Sequence, residues 1–236
     1  MKTIVHKAET RGYANHGWLT SYHSFSFANY QNPERMNFGA LRVLNDDIVQ
    51  PKMGFGTHPH QNMEIISIPL KGALSHKDSM GNVRAIEVGE VQVMSAGTGL
   101  THSEFNASST DETNFLQLWI IPKESNVAPN YEQRQFTVEE NKLQTLVAPI
   151  GKLDGLALPI NQEAYIYRAR LDESSRVDLK VKSIQNGFYI FVVEGEVSVA
   201  NDKLGSRDAI GVFDAENIEI KATKNSELII VEVPMH

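Results

Sequence analysis

Two short stretches of the chain carry the residues best suited to metal chemistry, His58-Pro59-His60 and His102-Ser103-Glu104. In each stretch the two metal-competent side chains are separated by one residue, which places them on the same face of a β-strand. If two such strands lie side by side, three imidazoles and one carboxylate can reach a single ion. This donor set suits a divalent transition metal and leaves coordination positions free for a substrate or dioxygen.

The residues around these stretches extend the pattern. Closely spaced glycines precede the first one, in Gly54-Phe55-Gly56, and indicate a tight approach of the backbone to a site. Continuing the alternation adds Asn62 and Glu64 to the face of the first histidine pair, and Asn106 to the face of the second pair. Glu64 is therefore either a further ligand or a carboxylate beside the ligands.

Strands must position these side chains, because convincing amphipathic helices are scarce. Short runs rich in β-branched, aliphatic and aromatic residues recur between turn residues, which is typical of an all-β sandwich or barrel. The best helical candidate is a short turn over 130–136. The strand runs fall into two sets, so we predict two β-barrel domains: residues 1–125, a linker over 126–140, and residues 141–236. Seven of the eight histidines lie between His6 and His102, which places the chemistry in the first barrel.

Composition excludes several classes of function. The formal net charge of −7 disfavours direct binding to nucleic acid or to an anionic membrane surface. The chain has no cysteine, which excludes disulfides, thiolate zinc sites, iron–sulfur clusters and cysteine nucleophiles. We see neither a signal-peptide pattern nor an apolar stretch long enough to span a bilayer, so we expect a cytoplasmic protein.

Two further groups of residues have alternative interpretations. His76 could orient a metal ligand, or it could be a half-exposed strand residue. A polar and aromatic alternation near the amino terminus could line a pocket for a flat aromatic substrate, or it could be ordinary barrel packing. Its members are Trp18, Tyr22, His23, Phe25 and Phe27.

The metal-competent residues also carry a family resemblance. His58-x-His60-x-x-x-Glu64 followed by Gly72 is similar to the first cupin motif, and Gly99-x-x-His102-x-x-x-Asn106 resembles the end of the second. Gly97 stands where the general second motif has proline, and this departure resembles the pirin branch of the cupins. The resemblance extends over nearly the whole chain, including His16-Gly17-Trp18-Leu19 and Asp78-Ser79-Met80-Gly81-Asn82.

The resemblance implies a bicupin with one metal in the amino-terminal jelly-roll barrel. It implies His58, His60, His102 and Glu104 as ligands, with Glu64 outside the coordination sphere. It favours iron over copper, nickel, cobalt, manganese or zinc.

The match is close to bacterial pirin-like quercetin 2,3-dioxygenases, so the expected substrates are dioxygen and a flavonol whose heterocyclic ring opens with release of carbon monoxide. Glu104 is then the expected catalytic base, with Glu64 as the alternative. Another pirin function is that of a metal-bound, redox-sensing transcription cofactor that binds a regulatory protein. A third interpretation is a metal-stabilised barrel that acts on some other small aromatic or enol.

Overall fold

The computed structural model describes residues 1–153 and 155–235, so His236 lies outside the described residues. In this part of the chain 22 β-strands are joined by turns, and the helical structure is limited to one 3-10 turn at Ala8–Thr10. The prediction of an all-β fold with few short helices is confirmed. None of the described residues form a helix that is long and apolar enough to cross a bilayer.

The first half of the chain forms two antiparallel sheets that close into a barrel. Its strands are β2 (Gly12–Asn15), β3 (Leu19–His23), β4 (Leu41–Val49), β5 (Gly54–His60), β6 (Glu64–Lys71), β7 (Ala73–Asp78), β8 (Val83–Glu87), β9 (Glu90–Ser95), β10 (Leu100–Asn106), β11 (Thr113–Ile120) and β12 (Asn130–Gln135). The larger sheet has seven strands in the order β12-β9-β6-β11-β4-β3-β2, and the smaller has the order β5-β10-β7-β8.

The second half repeats this architecture. Its strands are β13 (Leu143–Pro149), β14 (Leu158–Ile160), β15 (Tyr165–Leu171), β16 (Arg176–Lys180), β17 (Asn186–Glu194), β18 (Glu196–Val199), β19 (Asp202–Gly205), β20 (Ala209–Phe213), β21 (Asn217–Ala222) and β22 (Ser226–Pro234). The first strand of the chain, β1 (Lys2–His6), pairs with β20 and so completes a sheet of the second half. The sheet orders are β1-β20-β17-β22-β15-β13-β14 and β16-β21-β18-β19.

One predicted element is wrong. The helical turn expected over 130–136 is the edge strand β12, which pairs with β9 along its whole length. The unpaired edge of β9 offers hydrogen bonds to an extended segment, and this long-range pairing overrides the weak local signal. The division of the chain at 125 and 141 stays a prediction.

The two seven-stranded sheets pack face to face around the largest apolar cluster. Ile66 and Leu118 from the first half meet Ile166 and Val231 from the second half in this core. Strand β6 is therefore buried on both faces, whereas β16 alternates between buried and exposed residues. The packing covers the outer face of the large sheet of the first barrel.

The interiors of the two barrels differ in polarity. The second barrel is filled by one continuous apolar cluster that includes Leu179, Phe188 and Ile220. Among the described residues, the interior of the first barrel holds two small apolar clusters, one around Phe115 and one around Met94. Buried polar side chains lie between these clusters, so the first barrel is the half whose interior is suited to a functional site.

Candidate metal centre

Neighbouring strands β5 and β10 carry the two histidine-bearing stretches. His102 lies directly opposite His58, and Leu100 lies opposite His60. Between His102 and Glu104 the register shifts, because Glu104 pairs with Phe55 and β5 contains an extra residue at this point. Such a bulge re-aims the side chains on either side of it.

A close approach of the two backbones requires glycine next to the bulge. A Cβ atom at Gly54 would lie 2.3 Å from the carbonyl oxygen of Glu104. No heavy atom of the described residues lies within 4 Å of a Cβ built at Gly56. The tight approach predicted from the glycines is thus found at Gly54.

Three imidazoles converge in the barrel mouth. The ring centroids of His58 and His102 are 4.5 Å apart, and each lies 4.9 Å from the centroid of His60. Their candidate ligand atoms all lie within 4.8 Å of one another. His58 donates from Nδ1 to the carbonyl oxygen of Gly56 at 2.7 Å, so its Nε2 carries the free lone pair.

The donor set fits a divalent transition metal. Nε2 of His60 and both ring nitrogens of His102 are buried and have no hydrogen-bond partner among the described residues. Burial, reinforced by the neighbouring imidazoles, lowers the pKa of His60 to about 4 and that of His102 to about 3. Both rings are therefore neutral near pH 7, which is the form that binds metal.

Glu104 lies beside this group and is held at both carboxylate oxygens. Ser67 donates its hydroxyl to Oε1 at 3.1 Å, and Gln117 donates from Nε2 to Oε2 at 2.7 Å. The indole of Trp119 donates to Oε1 of Gln117 at 3.2 Å, which fixes the orientation of the amide. Glu104 shares a second group of candidate ligands with His76 and His102, again within 4.8 Å.

These contacts belong to a polar row that crosses six strands of the large sheet. The members lie directly opposite one another from strand to strand: Gln133, Gln92, Ser67, Gln117, Asn45 and His23. The sequence did not reveal this row. On β6, β9 and β11 its signal is a polar residue within a strand that is otherwise largely apolar, and the members align only when the registers are known.

His76 is fully buried rather than half-exposed. Its Nε2 lies 3.1 Å from Asp78, its Nδ1 lies 3.3 Å from the amide nitrogen of Gln92, and its ring centroid is 5.4 Å from that of His102. Both nitrogens have partners, so the ring is suited to packing against His102 and restricting its orientation.

The structure does not bring Glu64 to the imidazoles. Strand β5 ends at His60, and Asn62 adopts a φ of 49° before β6 begins, so the alternation does not continue to Glu64. The carboxylate oxygen Oε2 of Glu64 accepts from the hydroxyl of Ser95 at 2.7 Å and from the backbone N–H of Asn161, in the second half, at 3.2 Å. Burial raises the pKa of its carboxyl. The geometry gives this residue no contact with a substrate at the imidazoles.

A cavity of about 620 Å³ opens beside His58, His60 and Glu104. Aromatic side chains form much of its wall: Trp18, Phe27, Tyr30, Phe55 and Trp119. The polar and aromatic residues near the amino terminus have different roles. Trp18, His23 and Phe27 line the cavity. Phe25 belongs to the core between the halves, and Tyr22 contacts Arg11. The cavity can accommodate a flat aromatic molecule.

Two barrels of this kind, with the candidate centre in the first, define a bicupin. The Pirin family matches residues 5–120, and the family described as Quercetinase C-terminal cupin domain matches residues 146–233. The chain is 43% identical over 232 residues to quercetin 2,3-dioxygenase from Escherichia coli (strain K12), covering 98% of each chain. It is 39% identical over 223 residues to a pirin-like protein from Caulobacter vibrioides, covering 94% of this chain and 95% of the relative.

Comparison with solved structures also identifies pirins and quercetin 2,3-dioxygenases as similar proteins. Bacterial pirin YhhW from Escherichia coli, in complex with nickel(II), superimposes with a TM-score of 0.94 at 41% identity and full coverage of both chains. A quercetin 2,3-dioxygenase from Acinetobacter baumannii shares the fold at 20% identity, with a TM-score of 0.79 over 98% of this chain and 85% of that one. The chain belongs to the pirin family.

Proposed function

We propose that this protein is a metal-dependent dioxygenase that opens the heterocyclic ring of a flavonol such as quercetin and releases carbon monoxide. The observation that carries the proposal is the convergence of His58, His60 and His102 at the mouth of an aromatic cavity, beside the Glu104 carboxylate. The 43% identity to a quercetin 2,3-dioxygenase supports the substrate class.

His58, His60, His102 and Glu104 are the residues that would hold the ion. When bound, a divalent metal supplies Lewis acidity that lowers the pKa of a coordinated substrate hydroxyl and promotes its oxidation. The donor set accepts several first-row metals, so we keep iron as the first candidate and include nickel because a relative of similar fold binds it.

Glu104 is the proposed base for the substrate's hydroxyl proton. Its carboxylate borders the cavity, and the donors Ser67 and Gln117 hold it in one orientation. A positioned carboxylate within reach of the reacting hydroxyl is what general base catalysis requires. The aromatic wall, with Trp119 packed 4.9 Å from His60 between ring centroids, orients a flat substrate and excludes water.

Turnover of quercetin by protein reconstituted with single metals tests this proposal. We expect metal-dependent loss of the flavonol absorbance in air, with carbon monoxide captured by a haem protein. His60→Ala should abolish both signals. His6→Gln is the matched control, because His6 contacts Tyr189 away from the cavity, and it should keep wild-type activity at neutral pH. Lack of turnover with every metal, or an active His60→Ala variant, contradicts the proposal.

The alternative of a redox-sensing transcription cofactor has less support. The named function among the relatives above is quercetin 2,3-dioxygenase. A regulatory protein that binds only the oxidised metal form, together with absence of turnover, would reverse this preference.

A further inference from the structure

A second polar feature lies in the cavity wall, away from the imidazoles. Ser21 on β3 and Asp47 on β4 lie directly opposite each other, and both line the cavity. The hydroxyl of Ser21 donates to Oδ1 of Asp47. The Asp47 residue is only 3% exposed, so its carboxyl has almost no access to bulk solvent.

Three apolar residues flank this carboxyl in the sheet. Leu19 and Val49 lie two residues away on the same faces of β3 and β4, and Phe115 lies opposite Asp47 on β11. Burial raises the pKa of Asp47 to about 7, although the Ser21 hydroxyl opposes the shift. An ionisable group in such a wall is costly unless a ligand or partner uses it.

The neighbouring histidine extends the polar wall. Nδ1 of His23 lies 2.9 Å from Oδ1 of Asn45, which makes Nδ1 the donor and leaves Nε2 as an acceptor. Burial lowers the pKa of His23, so the ring is neutral near pH 7. Carboxyl, hydroxyl and imidazole together offer both donors and acceptors to a ligand hydroxyl.

The position of the pair relative to the metal centre follows from the sheet. Gln117, which holds Glu104, lies opposite Asn45, and Asp47 follows Asn45 by two residues on β4. The two residues are separated by one interstrand distance, from β11 to β4, and by two residues along β4. Their α-carbons are therefore roughly 8 Å apart. A phenol with several rings can span this distance inside the cavity.

We propose that Ser21 and Asp47 form a hydroxyl-binding subsite that recognises a phenolic group remote from the reacting hydroxyl. The subsite makes the protein selective for polyhydroxylated aromatics and sets the direction in which they enter the cavity. This inference rests on the proposed function, because it assumes that the reacting end of the substrate lies at the imidazoles.

A comparison of two flavonols tests the subsite. Quercetin carries several hydroxyls remote from the reacting one, whereas 3-hydroxyflavone keeps the reacting hydroxyl and lacks all the others. Both tryptophans of the chain, Trp18 and Trp119, line the cavity, so quenching of their fluorescence reports binding to nickel-loaded protein without turnover. The value of kcat/KM is measured in parallel.

We expect the wild-type protein to bind quercetin about tenfold more tightly than 3-hydroxyflavone, the effect of one or two buried hydrogen bonds. Asp47→Leu and Ser21→Ala should remove this preference and leave 3-hydroxyflavone affinity within about twofold. Asp47→Asn should keep part of it. Asp46→Asn is the matched control, because that neighbouring carboxylate pairs with Arg11 instead of lining the cavity, and it should keep the full preference.

The outcomes separate the two proposals. Discrimination between the flavonols that disappears in the Ser21 and Asp47 variants supports the subsite even if the wild-type protein does not turn over quercetin, in which case only the proposed function fails. If Asp47→Leu does not fold, Ser21→Ala decides. Equal losses for both ligands show that the pair only joins β3 to β4 and overturn the subsite. Absence of any preference, or of any binding, in the wild type also overturns it.

Discussion

The hydrogen bond from Gln117 to Glu104 gives a sharp test of how the carboxylate is positioned. The bond is 2.7 Å long, both groups are buried, and the amide is fixed by the indole of Trp119. Gln117→Leu removes the donor and leaves the side-chain volume nearly unchanged. One oxygen of Glu104 then lacks its partner, and the carboxylate is held by Ser67 alone.

The expected loss follows from the strength of such bonds. A hydrogen bond to a charged group contributes about 1.5–3 kcal/mol, and about 1.4 kcal/mol corresponds to a tenfold change in affinity. Loss of a partner that orients a metal ligand lowers metal affinity by about 10- to 100-fold. We therefore expect the dissociation constant for nickel(II) to rise by about 10- to 100-fold in Gln117→Leu.

Calorimetric titration of the metal-free protein with nickel(II), in competition with a chelator, measures this change. Gln133→Leu is the matched control, because Gln133 is also part of the polar row but donates to Ala85 and Glu90 instead of Glu104. Its nickel affinity should stay within about threefold of wild type. A folded Gln117→Leu variant with wild-type affinity, or equal losses in both variants, would refute the positioning of Glu104 by Gln117.

Two further predictions concern packing and pH. Gly54→Ala should lower the free energy of unfolding by about 1–3 kcal/mol and weaken metal binding, because the added Cβ meets the backbone of Glu104. Gly56→Ala should change neither quantity, because a Cβ at that position has free space among the described residues. Chemical denaturation and metal titration of both variants check this. Burial lowers the pKa of His6 to about 4, so the folded state resists protonation that the unfolded chain accepts below its ordinary pKa of 6.5. The neutral His6 ring therefore contributes fully to the free energy of unfolding above pH 6.5. This contribution is lost as the pH falls toward 4, by about 2–3 kcal/mol. His6→Gln, which does not titrate, should lack this loss in urea unfolding at pH 7 and pH 4.5; parallel pH profiles would contradict the prediction.

The period-two alternation of His58 with His60 and of His102 with Glu104 could be read from the sequence because it is local. The same rule failed at Glu64, because the positive φ of Asn62 interrupts the strand. Asparagine tolerates this conformation, but its presence does not require it. Local patterns specify which side chains share a face only as far as the strand continues.

Features that depend on pairing between distant strands were not predictable. Predicting the polar row requires the registers of six strands. Predicting that β1 pairs with the second half requires the knowledge that β20 has a free edge. The two-barrel arrangement was predictable, because the strand runs fall into two sets and the family resemblance agrees with them. The cytoplasmic location stays a prediction.

Metal stoichiometry tests the central claim most directly. Elemental analysis and nickel(II) titration of the purified wild-type protein should give one equivalent of a divalent transition metal per chain. Alanine at His58, His60 or His102 should reduce the content to below about 0.2 equivalents while the protein stays folded. A wild-type protein that binds no transition metal, or one that keeps a full equivalent without His60 and His102, would contradict the account.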